Sequence, residues 1–76
     1  MKERIMQILT EIRPEFDFSE STDYIEDGFL DSFDIVTVID ALEKEFQIIV
    51  DGIEVVPENF VTVDAIENLI NKSKKR

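Results

Sequence analysis

Gly28-Phe29-Leu30-Asp31-Ser32-Phe33-Asp34 closes a turn and opens a helix, and the rest of the chain is organised around that junction. Gly28 is a turn residue, Asp31 and Ser32 are both favoured helix caps, and Asp34 is an acid suited to a first helical turn. From Phe33 onward, Ile35, Val38, Ile39, Leu42 and Phe46 fall on one face when each residue advances by about 100°. That stripe predicts a helix over 33–46 with one buried face. Phe33 points nearly opposite the stripe, with Val36, Thr37 and Asp40 beside it, so an aromatic side chain is expected where a solvated face should be.

Working outward, residues 2–13 place Ile5, Ile8, Leu9 and Ile12 at helical spacing, and Pro14 stops the run. Residues 14–31 read as a long loop, polar and turn-rich but pinned by Phe16, Phe18, Tyr24, Ile25, Phe29 and Leu30. On the other side, Ile48 to Val56 also reads as two short strands around Asp51-Gly52. A lone hairpin is marginal without a sheet to join, and no other segment reads as a strand, so 47–56 is expected to be a loop with short extended pieces. Pro57-Glu58-Asn59-Phe60 suits a short helix over 57–60, and Thr62 caps a last helix over 63–71 carrying Val63, Ile66, Leu69 and Ile70. Residues 72–76 form a basic tail, expected to be solvated and fraying, whose charge complements the negative end of that helix. The predicted fold class is all-α: one domain over 1–76, a monomeric small antiparallel bundle of three main helices plus one short helix.

Composition narrows the function classes. A chain of 76 residues buries only about 60% of the surface its unfolded form exposes, so its stability margin is thin. There is no cysteine and no histidine, which removes disulfides, thiolate or imidazole metal sites and the usual base for an activated nucleophile. The acids do not follow calcium-loop spacing, and no Gly-rich phosphate loop is present. Catalysis by this chain alone is therefore not expected, nor is a bound metal. Sixteen of the eighteen acids, but only one base, Lys44, lie in residues 14–71. So acidic a middle argues against nucleic-acid binding and for partners with basic docking surfaces. No uninterrupted apolar run has signal-peptide or membrane-span length, and the expectation is a cytoplasmic protein without membrane insertion.

Ser32 is the residue with chemistry to offer. A hydroxyl at a helix N-terminus, with no base to activate it, is better read as a place that is modified than as a nucleophile. The bland alternative is that Asp31 or Ser32 merely caps the helix.

Gly28, Leu30, Asp31, Ser32 and Phe33 resemble the attachment signature of the acyl carrier protein family, including its aminoacyl and peptidyl relatives, at the start of the second helix. The resemblance extends to size, acidity, helix order and the Leu42-Glu43-Lys44-Glu45-Phe46 ending of that helix. It implies a 4'-phosphopantetheine arm on Ser32, delivered from coenzyme A by a phosphopantetheinyl transferase, whose thiol holds an acyl or aminoacyl cargo as a thioester. It also implies a loading ligase and a downstream transferase or synthase as partners, recognising Asp31, Phe33, Asp34, Val36, Asp40 and Glu43. Phe33 replaces the usual leucine, and Asp40 stands where fatty-acid-synthesis carriers more often have an apolar residue. These departures leave the pathway open among fatty-acid, polyketide or peptide assembly and D-alanyl transfer, and the stand-alone chain with its Asp31-Ser32-Phe33-Asp34 variant leans toward a specialised acyl or aminoacyl carrier. Ile35, Ile39, Leu42, Val55 and Ile66 are available to line an acyl pocket or to serve as plain core.

The competing class is a non-carrier acidic adaptor that docks a basic partner through Phe33 and its surrounding carboxylates. Either way the excess of acids implies self-repulsion in the folded state. The melting temperature is expected to rise between low and moderate ionic strength as the repulsion is screened; a flat profile in a salt-series thermal melt would count against it.

Overall fold

A computed structural model describes all residues 1–76. Three α-helices carry the fold: α1 (Lys2–Ile12), α2 (Ser32–Phe46) and α3 (Val63–Lys72). Shorter 3₁₀ turns span Phe18–Glu20, Gly52–Glu54 and Pro57–Phe60, and two short strands, β1 (Ile48–Ile49) and β2 (Lys74–Lys75), pair with each other. The helix α1 packs against both α2 and α3. One apolar cluster unites the elements, with Ile5, Ile8 and Leu9 from α1, Ile35, Val38 and Leu42 from α2, and Ile66, Leu69 and Ile70 from α3. No helix is long and apolar enough to cross a membrane.

Each helix ends for a local reason. The first stops at Ile12, one residue short of the expected boundary, because the residue before a proline is pushed out of the helical region; Arg13 sits at φ −130° and ψ 75°. The second begins one residue early, with Ser32 inside the helix and Asp31 as its cap. It ends at Gln47, whose φ of 54° is left-handed and whose N–H donates to the Glu43 carbonyl. The third is capped as expected by Thr62, whose Oγ1 accepts the Ala65 N–H at 3.0 Å.

Residues 14–31 are ordered by the anchors their composition suggested. Phe18, Tyr24 and Leu30 are buried. Phe16 stacks on Phe29 with ring centroids 4.5 Å apart, while Phe18 meets Tyr24 and Phe29 edge-to-face at 5.0 and 5.5 Å. Tyr24 also organises the backbone: its N–H donates to the Val61 carbonyl at 2.8 Å, and its carbonyl accepts the N–H groups of Phe29 and Leu30 at 2.8 and 3.0 Å. Gly28, at φ 77°, makes the left-handed turn between them, a conformation a side chain would strain.

One expectation changes downstream of α2. The basic tail does not fray: Lys74 and Lys75 form β2, antiparallel to Ile49 and Ile48, and the Arg76 N–H donates to the Gln47 carbonyl at 2.8 Å. The physical cause is Ile48, which is fully buried and whose backbone must find partners as it leaves water. Lysines on an exposed edge do not read as a strand, which is why the sequence pattern hides this pairing. As expected, no hairpin forms across Asp51-Gly52. Asp51 instead accepts the Ile53 N–H at 3.1 Å and caps the 3₁₀ turn Gly52–Glu54. The short helix expected over 57–60 is a 3₁₀ turn that buries Phe60 completely.

Phe60 and Phe33 give opposite expectations. Phe60→Ala is expected to cost about 3 kcal/mol or more, as large-to-small changes at buried aromatics do, and to leave so small a domain marginal. Phe33, 79% exposed, is expected to tolerate the same change with less than about 0.5 kcal/mol of effect. Urea unfolding of the two variants distinguishes them, and equal losses would contradict the packing described.

Candidate functional site

The start of α2 is built from a reciprocal pair of carboxylates. Asp31 accepts the Asp34 N–H at 2.9 Å, and Asp34 accepts the Asp31 N–H at 3.1 Å, a capping box with aspartate in both places. Ser32 and Phe33 lie between them. Because Asp31 is the cap, the Ser32 side chain has no capping role. It is exposed, and its hydroxyl has no hydrogen-bond partner within the chain.

Asp34 departs from the sequence expectation. It was expected on the docking face, yet it is 7% exposed and is the one buried charged residue. Arg13 meets its charge, with Nη1 donating to Oδ2 at 2.7 Å. The same guanidinium donates from Nε to Glu15 at 2.9 Å and lies 5.0 Å from the Phe16 ring centroid. Lost hydration disfavours the Arg13 charge, but Glu15, Asp34 and Asp31 more than offset it, so its pKa lies above the ordinary arginine value. Arg13 is the site residue that sequence reasoning missed. Its only signal was a base at the end of α1, and nothing in the spacing connects it with Asp34.

The remaining docking candidates divide by what they already hold. Phe33 and Val36 are 79% and 62% exposed, one helical turn apart on the same surface. Asp31 remains exposed while capping, and Asp40 is exposed and paired with Lys44 at 3.1 Å. Glu43 is half-buried and accepts the Val50 N–H at 3.0 Å, so one of its oxygens already secures the chain after β1. The surface left for contact is therefore Phe33 and Val36 with Asp31 and Asp40. Ile53, at 81%, is a further exposed apolar side chain, on the turn after β1.

The electrostatics at the helix start are largely spent internally. Asp31 is held below the usual carboxylate range chiefly by the Asp34 N–H, with burial opposing this and the Asp34 side chain, the Phe33 N–H and Arg13 adding to it. Asp31 thus engages the Asp34 N–H, one of the donors that make a helix N-terminus attractive to anions. The core does not open near Ser32: Ile35, Leu42 and Ile66 are buried in the packed cluster, Ile39 is half-buried, and Val55 is exposed. Two surface clefts lie elsewhere, one of about 430 Å³ between Ile49–Gly52 and Lys72–Lys74, the other between α1 and α3 beside Met6 and Val63. No group of three or more His, Cys, Asp or Glu side chains is arranged to hold a metal.

Comparisons of the chain with protein-family models, with curated proteins and with solved structures find no match.

The Asp31 cap has a pH signature. Its folded pKa lies below the ordinary 3.8, so the stability from its charge is present above pH 3.8 and is lost as pH falls through the depressed value. Asp31→Asn keeps an acceptor but no charge. The gap in unfolding free energy between wild type and Asp31→Asn is expected to be constant near neutrality and to close on acidification below pH 3.8; a gap independent of pH would show that the charge is not what caps the helix.

Proposed function

We propose that the chain is an acyl-carrier-protein-like carrier, with Ser32 as the attachment point of a 4'-phosphopantetheine arm. The observation that carries this reading is the division of labour at the start of α2. Asp31 does the capping, and Ser32 keeps an exposed hydroxyl with no structural task. A serine in the first helical turn that neither caps nor packs contributes less to the helix than alanine there. Its hydroxyl is open to a modifying enzyme from the solvent side.

The residues present fit a covalently attached arm and not an enclosed cofactor, since the exposed oxygen is available while the neighbouring core is packed. When attached, such an arm supplies the thiol on which an acyl or aminoacyl group is held as a thioester. The chain's own part is recognition. Phe33 and Val36 offer an apolar contact, and Asp31 and Asp40 set charge around it for a basic transferase, loading ligase or downstream enzyme. The specialised acyl or aminoacyl class is the subdivision favoured by Phe33 after the serine.

A second reading, an acidic adaptor without an arm, draws on the same exposed Phe33 and Val36. One experiment separates the two. After incubation with coenzyme A, magnesium and a broad-specificity phosphopantetheinyl transferase, intact mass is expected to rise by one phosphopantetheine for wild type and not at all for Ser32→Ala. No gain on a folded wild type, repeated with a second transferase, would favour the adaptor.

A further inference from the structure

Arg13 grips the segment around Ser32 from both sides. After the serine, its Nη1 holds Asp34 at 2.7 Å, and Asp34 in turn accepts the Asp31 N–H at 3.1 Å. Before the serine, its guanidinium lies over Phe16, 5.0 Å from the centroid, and Phe16 stacks on Phe29 at 4.5 Å. The Nε bond to Glu15 at 2.9 Å fixes the plane of the fork that makes both contacts. Residues 29 and 34 are thereby tied to the end of α1, with an exposed Ser32 between them whose hydroxyl makes no hydrogen bond to any of these groups.

We propose that Arg13 is a positioning residue for modification of Ser32: it fixes the first turn of α2, and with it the direction in which the Ser32 hydroxyl leaves the helix. The inference rests on the carrier reading. In the transfer, Ser32 Oγ forms a bond to phosphorus as the P–O bond to adenosine 3',5'-bisphosphate breaks, and the hydroxyl proton passes to a base of the transferase or to water. Attack in line with the leaving oxygen makes the rate sensitive to where Oγ points. Charge alone gives the opposite sign. Removing the Arg13 charge leaves the surface more acidic, which favours encounter with a basic enzyme and lowers KM. Positioning acts on kcat.

The test compares wild type, Arg13→Gln, Arg13→Lys and Asp34→Asn as substrates for transfer from coenzyme A, alongside amide hydrogen exchange at residues 31–35. Lysine keeps the charge but cannot bridge Asp34 and Glu15 while lying flat over Phe16. The expected result is a kcat about tenfold lower for Arg13→Gln and a smaller loss for Arg13→Lys, within the range that misplacement of a reacting group produces. KM should be unchanged or lower, and the Asp34 and Ile35 amides should exchange faster. Asp34→Asn should lower kcat comparably, with no further loss when Arg13→Gln is added. A wild-type kcat for folded Arg13→Gln overturns the inference and leaves the carrier reading intact. Should Arg13→Gln not fold, wild-type kcat and exchange in Arg13→Lys overturn it equally. An unmodified wild type removes the carrier reading, and this inference with it.

Discussion

Asp34 is the one charged side chain that this small protein buries, and the start of α2 depends on how that charge is met. An unpaired carboxylate taken out of water is costly. Here the cost is offset by the Arg13 guanidinium on one side and the Asp31 N–H on the other. The reciprocal bond from the Asp34 N–H to Asp31 then closes the cap. Three separate parts of the chain, the end of α1, the end of the long loop and the first turn of α2, meet in this network. The aromatic stack of Phe16 on Phe29 lies against the same guanidinium, so the apolar order of the loop and the polar order of the helix start share a member.

This arrangement explains how a chain with a thin core holds residues 14–31 in place with no more regular structure than the 3₁₀ turn Phe18–Glu20. Phe18, Tyr24 and Leu30 supply burial, and the Tyr24 carbonyl accepts the two N–H groups that follow Gly28. Burial pushes the Tyr24 hydroxyl above the ordinary tyrosine pKa, with the Val63 backbone working against that shift. The loop is tied to the segment before α3 by the Tyr24 N–H bond to the Val61 carbonyl, and to the end of α1 by the Arg13–Phe16–Phe29 stack. Its end delivers Asp31 and Ser32 to the helix start at a defined angle. The surface that results is uneven in character, with an exposed Phe33 and Val36 beside carboxylates, and a serine that the fold itself does not use.

Much of this was legible in the sequence because it rests on periodicity and on cap chemistry. The apolar stripes of all three helices, the Pro14 stop, the Thr62 cap, the aromatic anchors of the loop and the outward Phe33 are each written in local spacing. What escaped were pairings between residues distant in the chain. The Arg13–Asp34 ion pair turned an expected docking carboxylate into a buried one, and Glu43 was drawn inward by the Val50 N–H. The β1–β2 pairing escaped for the same reason, since two lysines carry no strand signature until the buried Ile48 is there to demand a backbone partner. Choosing between Asp31 and Ser32 as the cap also needed geometry, because both residue types cap well. That choice matters most for function, since it decides whether the serine has a structural task.

On the proposed carrier reading, Ser32 is kept free by its neighbours in order to be modified. The most direct measurement is fragment mass spectrometry of the peptide spanning Ser32, taken from the chain isolated from the cells that produce it. The expected result is a phosphopantetheine ester on Ser32 and on no other hydroxyl. A Ser32 peptide found only unmodified, or a modification resident on another residue, would contradict the account.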